Sequence, residues 1–173
     1  MTTTPSPGPA QGDPRLLETP EARDLLARAI PARLAYVTRR GAPRIVPTWF
    51  HWNGAEIVMP TWISGPHIQH PARRVRDLRE RPDVAISIDT EDQPPVVLQI
   101  RGQATIDEVD GVVEEYRSSA LRYLGAEAGR EFLAQLEGAP VTMARIAVRP
   151  EWVGLLDFRE RLPGPLGGVV GAG

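Results

Sequence analysis

Residues 44–59, RIVPTWFHWNGAEIVM, decide the fold of this 173-residue chain. Two runs rich in β-branched and aromatic residues flank the pair Asn53-Gly54. Asn-Gly between such runs predicts a tight hairpin, because both residues tolerate the positive φ of the turn. Together with the apolar run that precedes it, the stretch predicts a three-stranded antiparallel meander over 33–38, 44–52 and 55–61.

Outside this meander, the spacing of the apolar residues alternates between helical and extended patterns. Thr19-Pro20-Glu21 has the N-cap, first-turn proline and first-turn acid of a helix start. Gly102 predicts a break or bulge in a long strand. Further helices are predicted at 69–80, from near 107 to 124, and at 128–136, and further strands at 84–89, 96–106, 141–148 and 152–158. About seven strands with three or four helices predict a mainly β fold, an antiparallel barrel with peripheral helices.

The chain has the size and composition of one domain. Single domains cluster near roughly 100–150 residues, and the 42% hydrophobic content is enough for a core. The Pro- and Gly-rich residues 1–14 are predicted to be a disordered tail, and 161–173 a flexible one. The domain is therefore expected over 15–160.

The charge and the missing residue types exclude several function classes. A formal net charge of -2 gives no reason to expect a nucleic-acid or membrane partner. No apolar run approaches the ~20 residues of a transmembrane helix, and residues 1–12 do not resemble a signal peptide. The absence of cysteine excludes disulfides and Cys-based zinc sites and fits a cytoplasmic location. All 20 basic residues are arginine, so phosphate recognition must come from arginine, backbone N–H groups or hydroxyls.

The chain carries no recognisable hydrolytic or metal motif. It has no Gly-x-Ser-x-Gly nucleophile elbow. His67 and His70 have a spacing compatible with one helical face, but Pro66 and Pro71 interrupt that helix and no nearby carboxylate completes a ligand set. No metal site is therefore expected, and His51 is expected to be an ordinary strand residue.

An arginine cluster follows the third strand and has two interpretations. It comprises Arg73, Arg74, Arg76, Arg79 and Arg81. The first interpretation is a solvated helix with the i,i+4 ion pairs Arg73–Asp77, Arg76–Glu80 and Asp77–Arg81. The second is a phosphate clamp at Arg74, which has no acid four residues on and lies early in the helix, where free N–H groups favour an anion. The residue pattern leaves both open.

Six segments follow one another in an order that points to a known family. They are ARLAYVT (32–38), PRIVPTWF (43–50), IVMPT (57–61), LRERPDVAISI (78–88), VLQIRGQA (97–104) and PEWVGLLDF (150–158). Over about residues 15–160 this series resembles the pyridoxamine 5'-phosphate oxidase-like superfamily of split β-barrels, which includes FMN-dependent and deazaflavin-dependent oxidoreductases. Two features depart from the family pattern: arginine replaces the commoner lysine at the start of RVRDL (74–78), and GPHIQHP (65–71) is an unusual insert.

The resemblance implies a homodimer with two cofactor sites at its interface, occupied by FMN or the deazaflavin coenzyme F420. Arg74 matches the family's phosphate-binding position. The implied cofactor-binding set is Arg44, Val46, Pro47, Thr48, Met59, Thr61, Arg74, Gln99 and Trp152. For Gln99 and for Trp152, which would approach from the partner, simple barrel packing is an equally good interpretation.

The function implied by the resemblance is hydride transfer between the bound cofactor and a small conjugated substrate. The ring of such a cofactor carries the hydride and the protein supplies position and electrostatics, so no catalytic residue is assigned. Two alternatives on the same barrel remain open. One is a non-catalytic carrier of a cofactor or small ligand, and the other is a haem-binding relative with His67 or His70 as axial ligand.

Overall fold

A computed structural model of the chain describes residues 8–66 and 68–161, which form a mainly β fold with peripheral helices. The strands are β1 (Ala32–Val37), β2 (Pro43–Thr48), β3 (His51–Trp52), β4 (Ile57–Ser64), β5 (Asp83–Asp89), β6 (Val96–Asp110), β7 (Thr142–Val148) and β8 (Trp152–Asp157). A 3₁₀ helix (Pro14–Glu18) precedes the α-helices α1 (Pro20–Ala27), α2 (Arg73–Glu80), α3 (Glu114–Leu124), α4 (Ala126–Ala134) and α5 (Phe158–Arg161). None of these helices has the length and apolarity needed to span a membrane. The predicted fold class is confirmed.

Strand β6 joins two halves of one antiparallel sheet. Along the hydrogen-bonded path the strand order is β2-β1-β5-β6-β7-β4-β3, and β8 also pairs with β6. The first half of β6 lies between β5 and β8, and residues 104–110 pair with β7. The pairing changes beside Gly102, where a Cβ atom would lie 2.3 Å from the backbone oxygen of Arg149. The strand is continuous through Gly102, so this glycine permits a close backbone approach and the predicted break or bulge is wrong.

The core lies on the inner face of this sheet, against α1 and α2. In β1, Ala32, Leu34 and Tyr36 are buried, whereas Arg33 and Ala35 between them are partly exposed, as expected for a strand with one face against the core. A second, smaller cluster forms where α3 and α4 pack on the sheet, and it contains Val113, Tyr116, Ala120, Leu133 and Met143. Burial of each large apolar side chain contributes about 1.5–3 kcal/mol to folding.

The predicted three-stranded meander is confirmed in its two strand pairings but is wrong in its continuous middle strand. β1 pairs with β2 and β3 forms the Asn-Gly hairpin with β4, as predicted, but β2 and β3 are separate strands at opposite ends of the sheet path. The predicted strand 44–52 is interrupted at Phe50, which is fully buried. The Phe50 carbonyl accepts hydrogen bonds from Ser119 Oγ (3.0 Å) and from Arg122, both of α3. These contacts with a distant helix accompany the turn of the chain from one half-sheet to the other.

Two predicted helix starts are also wrong. Residues 107–110 continue β6 and pair with β7, so α3 begins only at Glu114. Pairing with β7 provides hydrogen-bond partners for the backbone N–H and C=O groups of this segment. This pairing outweighs the helix-like spacing of the apolar residues. Helix α2 begins at Arg73, not at residue 69, because Pro71 disfavours a helical conformation in the residue before it.

Residues that precede position 15 already contact the sheet. The Gln11 amide donates to the Leu155 carbonyl (2.7 Å), and its oxygen accepts from the Leu155 N–H (2.9 Å). The Gly12 N–H donates to the Val153 carbonyl at 2.7 Å. Residues 1–7 and 162–173 lie outside the described residues, and the division into a domain and two tails stays a prediction.

Candidate functional site

The residues selected from the sequence divide between the two faces of the sheet. The register places Arg44 opposite Tyr36 and Val46 opposite Leu34, on the inner face, whereas Pro47 lies opposite Arg33 on the outer face. With α2, the inner group comprises Arg44, Val46, Thr48, Met59, Thr61 and Arg74. The outer group comprises Pro47, Gln99 and Trp152.

Arg74 lies in the first turn of α2 and connects two strands that are not neighbours in the sheet. Val75 and Leu78 of the same helix are buried and hold it against the core. The Nη2 atom of Arg74 donates a hydrogen bond to Thr61 Oγ1 of β4. The side chain also lies near the Tyr36 phenol of β1. The helix therefore places one guanidinium group between β1 and β4.

The Arg74 guanidinium is largely removed from water without a carboxylate partner among the described residues. Its Nε atom is buried and has no hydrogen-bond partner there. Burial lowers the pKa of Arg74, and the nearby Tyr36 acts in the opposite direction. Arginine keeps its proton in proteins, so the site holds a positive charge with an unused donor. Such a group fits a phosphate or another oxyanion.

Tyr36 is a site residue that the sequence pattern did not select. It is buried, it lies opposite Arg44 in the register of β1 and β2, and it neighbours Arg74. Its alternation with Leu34 predicts an inward side chain, but only the fold brings it beside α2. The structure therefore brings Thr61 and Arg74 together beside Tyr36. Arg44 is the cross-strand neighbour of Tyr36.

The other inner-face residues belong to the core or its edge. Met59 is fully buried in the main core cluster, and Val46 packs against that cluster. Thr48 ends β2, where its Oγ1 donates to the Trp49 carbonyl at 3.3 Å. Their contacts are those of ordinary packing.

The predicted ion pairs along α2 do not form. Asp77 instead accepts a hydrogen bond from the Arg39 backbone N–H (3.3 Å), and Glu80 accepts one from Arg39 Nη1 (3.2 Å). Arg39 lies in the turn after β1, far away in the sequence. Because Arg39 occupies both acids, Arg73 and Arg76 have no carboxylate partner in the part of the chain that the structure describes.

A cleft of about 510 Å³ lies beside the outer face of α2. Arg73, Arg76 and Arg79 line it together with the exposed His70. Arg79 is paired with Glu108 of β6, so Arg73 and Arg76 carry the unpaired charge of the cleft. The same helix therefore presents uncompensated positive charge on its outer face as well as at its buried arginine.

Gln99 and Trp152 lie on the face of the sheet opposite Arg74. One cross-strand row runs over five strands and contains Ile45, Ala35, Ala85, Arg101 and Trp152. The adjacent row contains Pro47, Arg33, Ser87, Gln99 and Gly154. The guanidinium carbon of Arg101 lies 4.1 Å from the centroid of the Trp152 ring. The outer group thus forms its own surface.

The histidines do not assemble a metal site in the described residues, where no group of three suitable side chains converges. His67 lies outside those residues. His51 of β3 is half-buried, and its pKa is lowered by burial and by Arg122, against the opposing effect of Glu115 and Glu114.

Comparisons with known proteins extend these observations. The family model described as pyridoxamine 5'-phosphate oxidase matches residues 18–157. A solved structure described as an F420 reductase has 24% sequence identity and a TM-score of 0.56, and the match covers 76% of this chain and 94% of that one. A conserved hypothetical protein from Mycobacterium tuberculosis has 18% identity and a TM-score of 0.59, with 91% and 94% covered.

A third solved structure of similar fold is a heme binding protein from Mycobacterium smegmatis, with 18% identity and a TM-score of 0.50. That match covers 86% of this chain and 53% of the other. At these identities the solved structures share the fold with this chain and nothing more specific. None of the curated proteins matches the sequence.

Proposed function

The chain belongs to the pyridoxamine 5'-phosphate oxidase family, and from that premise we propose that it is an oxidoreductase that binds a phosphate-bearing flavin or deazaflavin at Arg74. The observation that carries the proposal is the buried Arg74 guanidinium, which has a free Nε donor and no carboxylate partner among the described residues. A buried charge without a counter-charge is costly for the folded protein. A bound phosphate would supply that counter-charge.

The residues present fit the phosphate end of either cofactor. Arg74 would bind the phosphate, and Thr61 orients the Arg74 guanidinium through its hydroxyl. Arg73 and Arg76 add positive charge on the outer face of α2, which draws an anionic ligand towards the helix. When bound, the flavin or deazaflavin ring would accept or deliver the hydride. We propose a small conjugated molecule as the substrate.

The proposal includes a homodimer. Gln99 and Trp152 lie on the face of the sheet opposite Arg74. Side chains on that face can line a cofactor held near Arg74 only if they come from a second copy of the chain.

Replacement of Arg74 tests the phosphate site. The wild-type protein is first titrated with FMN and with F420. For each of them that it binds, we expect Arg74→Ala to weaken binding by roughly 10- to 100-fold. The reason is that a hydrogen bond to a charged group contributes about 1.5–3 kcal/mol. Riboflavin, which lacks the phosphate, should bind the variant and the wild type equally. Fluorescence titration measures all three affinities.

Arg81→Ala is the matched control, because it removes the same charge from the exposed C-terminal end of α2. Its cofactor affinity should stay within about threefold of wild type, since an exposed charge is screened by solvent and salt. Equal losses in Arg81→Ala and Arg74→Ala would contradict a specific clamp. Wild-type affinity in Arg74→Ala would remove Arg74 from the site.

A second candidate function is non-catalytic binding of a cofactor, a small ligand or haem. The observation that favours haem is the cleft at α2, where His70 lies beside arginines that could pair with carboxylates. Stopped-flow kinetics separates the candidates: an oxidoreductase reoxidises its reduced cofactor with quinones or similar acceptors, whereas a carrier does not. A Soret band on haem titration that is lost in His70→Ala would instead favour haem binding.

A further inference from the structure

A second cleft, separate from α2, lies at the other end of β4. Its volume is about 510 Å³. The lining comes from the 3₁₀ helix and α1, from the β3–β4 turn, and from the turn between β7 and β8, and it includes Arg15, Glu18, Arg23, Trp52, Gly54 and Arg149. This volume is within the range of roughly 300–1,000 Å³ that is typical of small-molecule sites.

The charges in this cleft are unequally compensated. Arg15 is bound to Asp13, with its Nη2 atom 2.6 Å from Asp13 Oδ2. That hydrogen bond raises the pKa of Arg15, and Glu18, which also lines the cleft, acts in the same direction. Asp13 therefore compensates the charge of Arg15 directly, and Glu18 adds a nearby negative charge.

Arg23 and Arg149 differ from Arg15 in their partners. Both side chains are exposed, and neither forms a salt bridge or a side-chain hydrogen bond within residues 8–66 and 68–161. They belong to α1 and to the β7–β8 turn, so the fold places their charges on two walls of one cleft. Together they leave positive charge available to an anion.

Trp52 gives the cleft an apolar wall. Its indole packs partly against the main core and is otherwise exposed to the cleft. An aromatic ring beside arginines suits a ligand that combines a planar apolar part with an anionic group.

We propose that this cleft is a second binding site, for a small organic anion that carries a planar ring. Arg23 and Arg149 bind the anionic group, and the ring packs against Trp52. The site is distinct from the one at Arg74: β4 rises about 3.3 Å per residue, which separates Ile57, the first strand residue after the turn at this cleft, from Thr61 by roughly 13 Å. The inference therefore does not rest on the proposed cofactor.

Binding of 1-naphthyl phosphate to the wild-type protein tests the site, with inorganic phosphate and 1-naphthol as probes for its two halves. Because ring and anion contribute together, we expect 1-naphthyl phosphate to bind at least tenfold more tightly than either half. In ¹H–¹⁵N NMR spectra, the Trp52 indole and the Gly54 and Ala55 amides should shift. These shifts should persist in Arg74→Ala, which separates this cleft from the cofactor site.

The double variant Arg23→Ala/Arg149→Ala should weaken 1-naphthyl phosphate binding at least tenfold without loss of thermal stability, since both side chains are exposed. Arg40→Ala/Arg81→Ala is the matched control, because it removes two exposed arginines outside the cleft; its affinity should stay within about threefold of wild type. Three outcomes would each overturn the proposal. They are NMR shifts confined to the α2 region, equal affinity in the two double variants, and no binding of 1-naphthyl phosphate by the wild-type protein.

Discussion

Arg74 and Arg122 both bury an Nε atom without a partner among the described residues, but their other contacts differ. The Nη atoms of Arg122 donate to the Leu26 and Phe50 carbonyls, so this side chain stabilises backbone that would otherwise lack partners. Among the described residues, the Arg74 side chain has one hydrogen bond, to the Thr61 hydroxyl. Arg74 therefore keeps a charge and donor capacity that the fold does not use, whereas the Nη donors of Arg122 serve the fold.

His51 permits a prediction about pH at the same scale. Burial and the nearby Arg122 lower its pKa in the folded protein below the ordinary value of 6.5. Below about pH 6.5 the unfolded chain therefore binds more protons at this position than the folded chain does, and stability falls as the pH falls. His51→Gln should flatten this loss between pH 7 and pH 5, as measured by urea unfolding at several pH values.

His70→Gln is the control for this experiment, because His70 is exposed. The pH dependence of its stability should follow that of the wild-type protein. An unchanged slope in His51→Gln, or the same flattening in both variants, would show that the acid sensitivity arises elsewhere.

Arg74 has no acid four residues on in the sequence and no carboxylate partner among the described residues in the structure, but the sequence could not predict the partners of the acids in this helix. The acids Asp77 and Glu80 were assigned to neighbours on their own helix, and Arg39 takes both. A local i,i+4 pair contributes only about 0.2–0.5 kcal/mol. Tertiary contacts such as those of Arg39 can replace ion pairs this weak. The spacing of residues along one helix does not predict such contacts.

At the scale of elements, β6 is the strand on which both half-sheets depend, and Gly102 is its most constrained residue. An added Cβ would meet the Arg149 carbonyl oxygen at 2.3 Å and Val148 Cγ1 at 3.2 Å. The first contact is with backbone, which cannot rotate away. Gly102→Ala should therefore destabilise the protein by about 1–3 kcal/mol, as is usual for overpacking, and calorimetry should show a lower Tm.

Gly8→Ala is the matched control, since no atom lies within 4 Å of the position of its Cβ. It should leave Tm within about 1 °C of wild type, because changes of exposed residues usually stay within ±0.5 kcal/mol. A wild-type Tm in Gly102→Ala would mean that the turn after β7 moves aside at little cost.

Prediction of the elements succeeds where the deciding residues are adjacent in the sequence and fails where they are distant. The Asn53-Gly54 hairpin was predictable because its turn is local: Gly54 has a positive φ, and the Asn53 side chain accepts hydrogen bonds from the Ala55 and Glu56 N–H groups. Residues 107–110 were not, because their apolar spacing suits a helix and only the distant β7 makes them a strand. The break at Phe50 depends likewise on side chains of α3. Local chemistry predicts turns, whereas long-range pairing decides strand order.

At the scale of the whole molecule, the outer face of β2, β1 and β5 is the surface that best suits a second copy. Ile45, Ala35 and Ala85 follow one another across these strands, and Ile45 is 63% exposed. A single exposed apolar residue needs no explanation. An apolar row that ends at Arg101 and Trp152, however, has the apolar centre and aromatic–arginine composition that interfaces favour.

Ile45→Glu tests this surface. We expect the wild-type protein to have twice the chain mass of 19.0 kDa in light scattering, and the variant to have the mass of one chain, because a buried glutamate without a partner is costly. Leu124→Glu, which changes a side chain of α3 that is 40% exposed, should remain dimeric.

If Gln99 and Trp152 complete the cofactor site across the interface, Ile45→Glu should also weaken cofactor binding. Arg74→Ala should bind the cofactor more weakly but remain dimeric, so the two variants separate assembly from phosphate recognition. A dimeric Ile45→Glu variant would place the interface on another face.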